Sequence, residues 1–163
     1  MISSDKIGRM NPHRVRSLTS VVAFALLLPA AVSTAQTPTE QAVLAPIQAM
    51  FDGMAKRDAT AIAAPTLPGG TMVLMRDGKA AQMTFTDFAT RVGKPGTTKI
   101  EERIHDPLIR IDNDLAVVWA PFDFLVDGKV DHCGTDLFNM VRVDGTWKIA
   151  SVADTGTKTC PVK

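Results

Sequence analysis

A few side chains in this chain have types and spacings suited to chemistry. His132 and Asp136 are four residues apart. On a strand, that spacing projects both from one face, two positions apart. Inside a cavity, such a pair works as an acid and a base, because desolvation and a close neighbour tune each proton affinity. The same spacing also fits a hydrogen-bonded pair at a cavity mouth or on a solvated outer face, and by itself it favours that structural reading. Asp123 is a second candidate. It sits between Phe122 and Phe124, and a carboxylate in greasy surroundings becomes a general base with a raised pKa. Ordinary alternation at a solvent-facing position produces the same pattern. His105-Asp106 precedes Pro107 and suits a bulge. A metal site needs three or more convergent ligands, and these residues are too dispersed, so no metal and no cofactor is expected.

The elements that must position these residues are legible around three Asp-Gly pairs, at Asp77-Gly78, Asp127-Gly128 and Asp144-Gly145. Asp-Gly between β-rich runs predicts a type I′ hairpin, since that turn needs positive φ at both central residues. The last two turns join three long strands between Leu115 and Asp154 into a meander. Along the first of these strands Trp119, Pro121 and Asp123 share one face and Val118, Ala120, Phe122 and Phe124 the other. Along the second, His132, Gly134, Asp136, Phe138 and Met140 lie together. Upstream, Thr37-Pro38-Thr39-Glu40 reads as a capping box. It opens a helix whose apolar stripe includes Val43, Ile47, Met50, Phe51 and Met54, with Pro46 expected to bend it or mark its start. Asp58 caps a short second helix ended by Pro65. Thr66 to Gly70 reads as a loop, and Thr84 caps a helix presenting Phe85, Phe88, Ala89 and Val92. A strand from Thr98 to Asp112 should break near Asp106-Pro107, and Pro121 should sit at an edge or bulge. Helices early and antiparallel strands late give an α+β domain with the helices packed on one face of the sheet.

This order, with the segments FDGMAKRD (Phe51 to Asp58), MVLMRDGK (Met72 to Lys79) and LFNMVRVDGTWKIASVAD (Leu137 to Asp154), resembles the nuclear transport factor 2-like superfamily. It most resembles the SnoaL-like and putative lumazine-binding branches. The resemblance implies a cone: a curved antiparallel sheet with the N-terminal helices on its concave face, enclosing a pocket, commonly in a homodimer. Trp119, Phe138 and Met54 are then the expected ligand contacts. Fold alone does not choose a function. The preferred expectation is a pocket for a small apolar or aromatic molecule. The alternatives are an isomerase-, dehydratase- or cyclase-type enzyme using Asp123, His132 or Asp136, and a dimeric interaction module.

Residues 1–35 read as a secretory signal peptide, with an uncleaved membrane anchor as the alternative, and 36–163 as one domain. Arg14 and Arg16 precede a 12-residue apolar run, Val21 to Val32, too short to span a bilayer, and small residues follow it up to Ala35. Met10 is an alternative start. Removing these 35 of 163 residues leaves 128, and with them go four basic and one acidic side chain of the 18 and 17, leaving a charge of −2. A mildly acidic chain without a basic run has no footprint for nucleic acid, and none for a membrane after cleavage. A periplasmic or secreted location follows. In such a compartment the only two cysteines, Cys133 and Cys160, are expected to pair. Counting from the last turn puts Cys133 opposite Gly156, so the tail must fold back for Cys160 to reach it.

Overall fold

The computed structural model describes residues 36–160, so the signal-peptide reading and both candidate starts lie outside the described residues. Helix α1 (Pro38–Lys56) begins in a complete capping box: the Glu40 amide donates to Thr37 Oγ1 at 3.2 Å, and the Thr37 amide donates to Glu40 Oε2 at 2.8 Å. Pro46 is accommodated inside one continuous helix. The helix ends at Arg57, in the left-handed region at φ 52°. The Arg57 guanidinium donates to the carbonyls of Val92 and Thr98, tying down the segment after the third helix. Gly53 lets α1 meet α2 (Ala59–Ala63), since a Cβ there would come within 2.7 Å of the Ile62 amide.

Strands β1 (Thr66–Arg76) and β2 (Lys79–Thr84) form the first hairpin, α3 (Phe85–Val92) follows its Thr84 cap, and β3 (Ile100–Ile104), β4 (Leu108–Asp112), β5 (Leu115–Val126), β6 (Lys129–Val143) and β7 (Thr146–Thr157) complete the sheet. All three Asp-Gly turns have positive φ at both residues, as a type I′ turn demands. The strand order is β2-β1-β7-β6-β5-β3, with β4 also paired to β5.

The meander is antiparallel throughout, but β1 runs parallel to β7. The sheet is therefore mixed rather than wholly antiparallel. The chain between β1 and β7 makes the crossover that a parallel pair requires. Thr66 to Gly70, expected as a loop, is instead the start of β1: Thr66 pairs with Ile149, and the register shifts before Thr71 meets Ser151.

Pro121 sits in an interior strand, where its missing amide faces the gap between β3 and β4. Its carbonyl accepts from the His105 amide at 2.8 Å across that gap. Asp106, at φ 40°, and Pro107 break the neighbouring strand at the same level, so the proline leaves no ladder bond unmade.

A second irregularity lies between β6 and β7. Val143 pairs with Thr146 and Met140 with Ile149, but Asn139 pairs with Ser151, leaving Ala150 as a bulge. Beyond it, Cys133 faces Thr157, one position from the Gly156 expected by counting. The tail does fold back, and Cys133 and Cys160 form a disulfide with Cα atoms 5.7 Å apart. The bulge also switches the inward phase of β7, from Trp147 and Ile149 before it to Val152 and Asp154 after it.

The core lies between the helices and the inner face of the sheet. Val43, Ile47, Met50 and Phe51 of α1 pack with Val118, Phe138, Met140 and Ile149, and Phe51 meets Phe138 edge-on at 6.2 Å between ring centroids.

Candidate functional site

The helices do not fill the cone. A cavity of about 200 Å³ remains beside the core. Its apolar wall comes from every layer: Met50 and Met54 from α1, Met72 and Leu74 from β1, Phe88 and Val92 from α3, and Phe122, Phe124, Phe138 and Val152 from the meander. Its polar wall is Arg76, Glu102, His132, Asp136 and Asp154.

The polar wall divides into two parts. Arg76 and Asp154 form a bidentate pair, with Nη1 donating to Oδ1 and Nη2 to Oδ2, both at 2.7 Å. That bond holds the Arg76 pKa above its ordinary value. Asp154 reaches it because the Ala150 bulge turns this part of β7 inward.

Glu102 and Asp136 form the other part. Asp136 is 2% exposed, and its Oδ2 meets no hydrogen-bond donor among the described residues. Burial, then repulsion from Glu102 and Asp154, pushes its pKa up to about 10 despite the opposing pull of Arg76. Glu102 is raised to about 7, chiefly by burial. The two carboxyls therefore hold a proton between them at neutral pH: Asp136 stays an acid while Glu102 titrates in the physiological range.

His132 stands on the same wall. Its ring stacks on Phe124 at 4.8 Å and meets Phe122 edge-on at 5.8 Å. Nδ1 lies 2.9 Å from Asp131 Oδ2, which also accepts from Lys158 Nζ at 2.7 Å. His132 and Asp136 thus share the cavity, but the hydrogen-bond partner of His132 is Asp131.

Of the residues singled out from the sequence, His132, Asp136, Phe138 and Met54 line the cavity, while Asp123 and Trp119 do not. The pleat sends both to the outer face. There Trp119 is 51% exposed beside Leu108, with which it pairs across strands, and Asp123 Oδ2 lies 2.8 Å from His105 Nε2. The aromatic residues flanking Asp123 in sequence point the opposite way, so they give it no apolar environment. Sequence reasoning passed over Glu102, Asp154 and Arg76. Glu102 had a signal: it falls in the same strand phase as Ile100 and Ile104, an acid in an inward-facing row. Asp154 had none, because the bulge that turns it inward carries no Gly or Pro.

Residues 38–153 match the family model described as "Putative lumazine-binding". No curated protein matches the chain. Among solved structures, the fold is similar to that of a nuclear transport factor 2-like protein from Cytophaga hutchinsonii (15% identity, TM-score 0.63, covering 74% of this chain and 100% of that one). It is also similar to a nuclear transport factor 2-like protein of unknown function from Shewanella baltica (17% identity, TM-score 0.58, 77% and 100%). A third similar structure, from Novosphingobium aromaticivorans, is described as a putative aromatic ring hydroxylase (16% identity, TM-score 0.61, 76% and 96%). At these identities the structures establish the fold alone, and the family model covers most of the chain. The chain belongs to the "Putative lumazine-binding" family and has the fold of the nuclear transport factor 2-like proteins.

Proposed function

We propose that the protein binds a small, largely apolar or aromatic molecule in its cone. The supporting observation is the cavity itself: about 200 Å³, walled by methionine, phenylalanine and aliphatic side chains, with a few polar groups on one wall. That composition is typical of small-molecule sites. An apolar cavity of about 150 Å³ takes up benzene, so this one suits one or two rings. The family description points the same way, since lumazine is a bicyclic aromatic. Calorimetric titration with lumazine and with other one- and two-ring aromatic molecules tests the reading. Saturable binding, weakened by filling the cavity with Met54→Trp, is expected; a panel in which nothing binds overturns it.

Acid–base chemistry on the bound molecule is a second reading, favoured by the Glu102–Asp136 pair. One carboxyl is held protonated and its neighbour is poised near neutrality, the combination that proton transfer at carbon requires. Deuterium wash-in beside the carbonyl of a bound tetralone, lost in Glu102→Gln, is the expected result; no wash-in into a ketone that binds leaves a binding protein only.

Export to the periplasm or beyond, and assembly as a homodimer, complete the proposal. The Cys133–Cys160 disulfide suits an oxidising compartment, and a mature N-terminus at Gln36 by mass spectrometry is expected. The outer sheet face exposes Leu108, Leu115 and Trp119, an apolar surface that a second copy would cover. Sedimentation should show a dimer that Trp119→Asp splits.

A further inference from the structure

The polar wall of the cavity holds more acidic groups than basic ones. Three carboxyl groups, Glu102, Asp136 and Asp154, line it together with one guanidinium, Arg76. Arg76 is already committed: both terminal nitrogens donate to Asp154, and Nη1 donates also to the Met75 carbonyl at 2.8 Å. Gly156 leaves the room it occupies, since a Cβ there would come within 2.5 Å of Arg76 Cζ. Glu102 and Asp136 therefore face the cavity without a cation of their own. His132, the remaining titratable group of the lining, is engaged by Asp131 through Nδ1. The residues that α1 and α3 contribute, Met50, Met54, Phe88 and Val92, carry no charge.

Asp136 shares a hydrogen bond with Glu102, yet part of its carboxyl is left unmet. The residue is 2% exposed, lines the cavity, and its Oδ2 meets no donor among the described residues. A buried acceptor left this way costs on the order of 1–3 kcal/mol, and native structures rarely keep one without a purpose. A hydrocarbon ligand would leave the cost in place, and an anionic ligand would add repulsion. A lone carbonyl would accept the proton between the acids and leave their remaining oxygens unmet. A ligand with a positive charge and two or more N–H donors answers both carboxyls at once, and a planar amidine-type fork does so with two parallel bonds. The phenylalanine faces around the same cavity favour a cation as well. Among the described residues no three His, Cys, Asp or Glu side chains come together to hold a metal ion, which points to an organic cation.

We propose that the ligand is an aromatic organic cation of the amine or amidine class, its N–H groups donating to Asp136 and Glu102 and its ring lying among Phe88, Phe122 and Phe124. The proposal rests on the pocket reading above and names the chemical class that the pocket selects. Binding expels the proton held between the two acids, so affinity rises with pH.

The test is a matched series of probes, benzamidine, benzamide and benzoate, titrated calorimetrically into the mature protein. Benzamidine should bind at least about tenfold more tightly than benzamide, and benzoate most weakly. Near about pH 7, titrations in buffers of different ionisation enthalpy should show net proton release on benzamidine binding. Asp136→Asn and Glu102→Gln should each abolish the preference for benzamidine while benzamide binding survives, which also shows that the variants are folded. Benzamide binding as tightly as benzamidine, or benzoate binding most tightly, overturns the cation proposal and leaves the pocket reading standing. If none of the three binds and the one- and two-ring panel also fails, the pocket reading itself is lost.

Discussion

Two aspartates on neighbouring strands of one sheet have opposite fates. Asp123 of β5 lies on the outer face, its side chain 18% exposed and 2.8 Å from a partly exposed His105. Asp136 of β6 lies on the inner face, 2% exposed, in a wall with two other acids, and holds its proton up to about pH 10. The residue type is the same and the sheet is the same. What differs is pleat parity, which decides whether a side chain meets water or the space beneath the helices. The outer face joins a partly exposed aspartate–histidine hydrogen bond to an exposed apolar patch around Trp119. The inner face joins apolar packing to a cluster of carboxyls, and the cavity opens where that packing stops. An acid–histidine contact at hydrogen-bond distance is thus a poor guide to a site here, and a buried cluster of acids beside a cavity is a better one.

The sharpest way to break this contrast is to truncate a large aromatic side chain on each face. Phe138 is 1% exposed and packs edge-on against Phe51. Phe138→Ala should cost about 3–5 kcal/mol, the transfer term plus the cavity left behind. Trp119→Ala, at a residue 51% exposed, should cost less than about 1 kcal/mol in the monomer. Urea denaturation of both variants, at a protein concentration low enough to keep them monomeric, checks the pair. Equal losses would mean that the outer face is structural core as well.

The inner-face acids offer a second test, through pH. Asp136 has a folded-state pKa far above its unfolded value, so between about pH 4 and about pH 10 the native protein binds more protons than the unfolded chain. Its contribution is fully present below the unfolded value and is lost as pH rises through the folded one. Glu102 acts in the same sense up to about pH 7. Stability should therefore fall from mildly acid to alkaline pH, by at most about 1.4 kcal/mol per pH unit for each retained proton. Asp136→Asn should flatten the profile and raise stability at the alkaline end. A wild-type profile that rises from about pH 5 to about pH 8 would contradict the buried-acid assignment.

Much of this arrangement is legible in the sequence where local chemistry dictates it. The Asp-Gly turns, the Thr37 and Thr84 caps and the break at Asp106-Pro107 each rest on one or two residues whose backbone preferences leave little choice. Alternation along β6 sorts Asp136 and Phe138 correctly, because no irregularity intervenes between them. Reasoning fails where distant pairing overrides local pattern. The Ala150 bulge is set by the fit of β7 between β6 and β1, and it moves Cys133 opposite Thr157 and carries Asp154 inward. The parallel pairing of β1 with β7 is likewise a tertiary choice, and it brings Arg76 opposite Gly156 and within reach of Asp154. Asp123 misleads for a simpler reason: residues adjacent in a strand are on opposite sides of it, so Phe122 and Phe124 report on the cavity and not on Asp123.

The smallest expected effect is also the one that most sharpens the division between faces. His105→Ala removes a hydrogen bond whose two side chains are 35% and 18% exposed, and a partly solvated hydrogen bond contributes little net, so the loss should be about 1 kcal/mol or less. The His105 amide, which donates to the Pro121 carbonyl across the strand gap, is untouched by the substitution, and the kink between β3 and β4 should persist. Affinity for an aromatic ligand in the cone should not change, because neither His105 nor Asp123 borders that cavity. Calorimetry with benzamidine, run beside Glu102→Gln, gives the comparison: two substitutions three residues apart, one silent and one not. A His105→Ala protein with altered ligand affinity would show that the outer face communicates with the cone through β3, and pleat parity would no longer be enough to separate them.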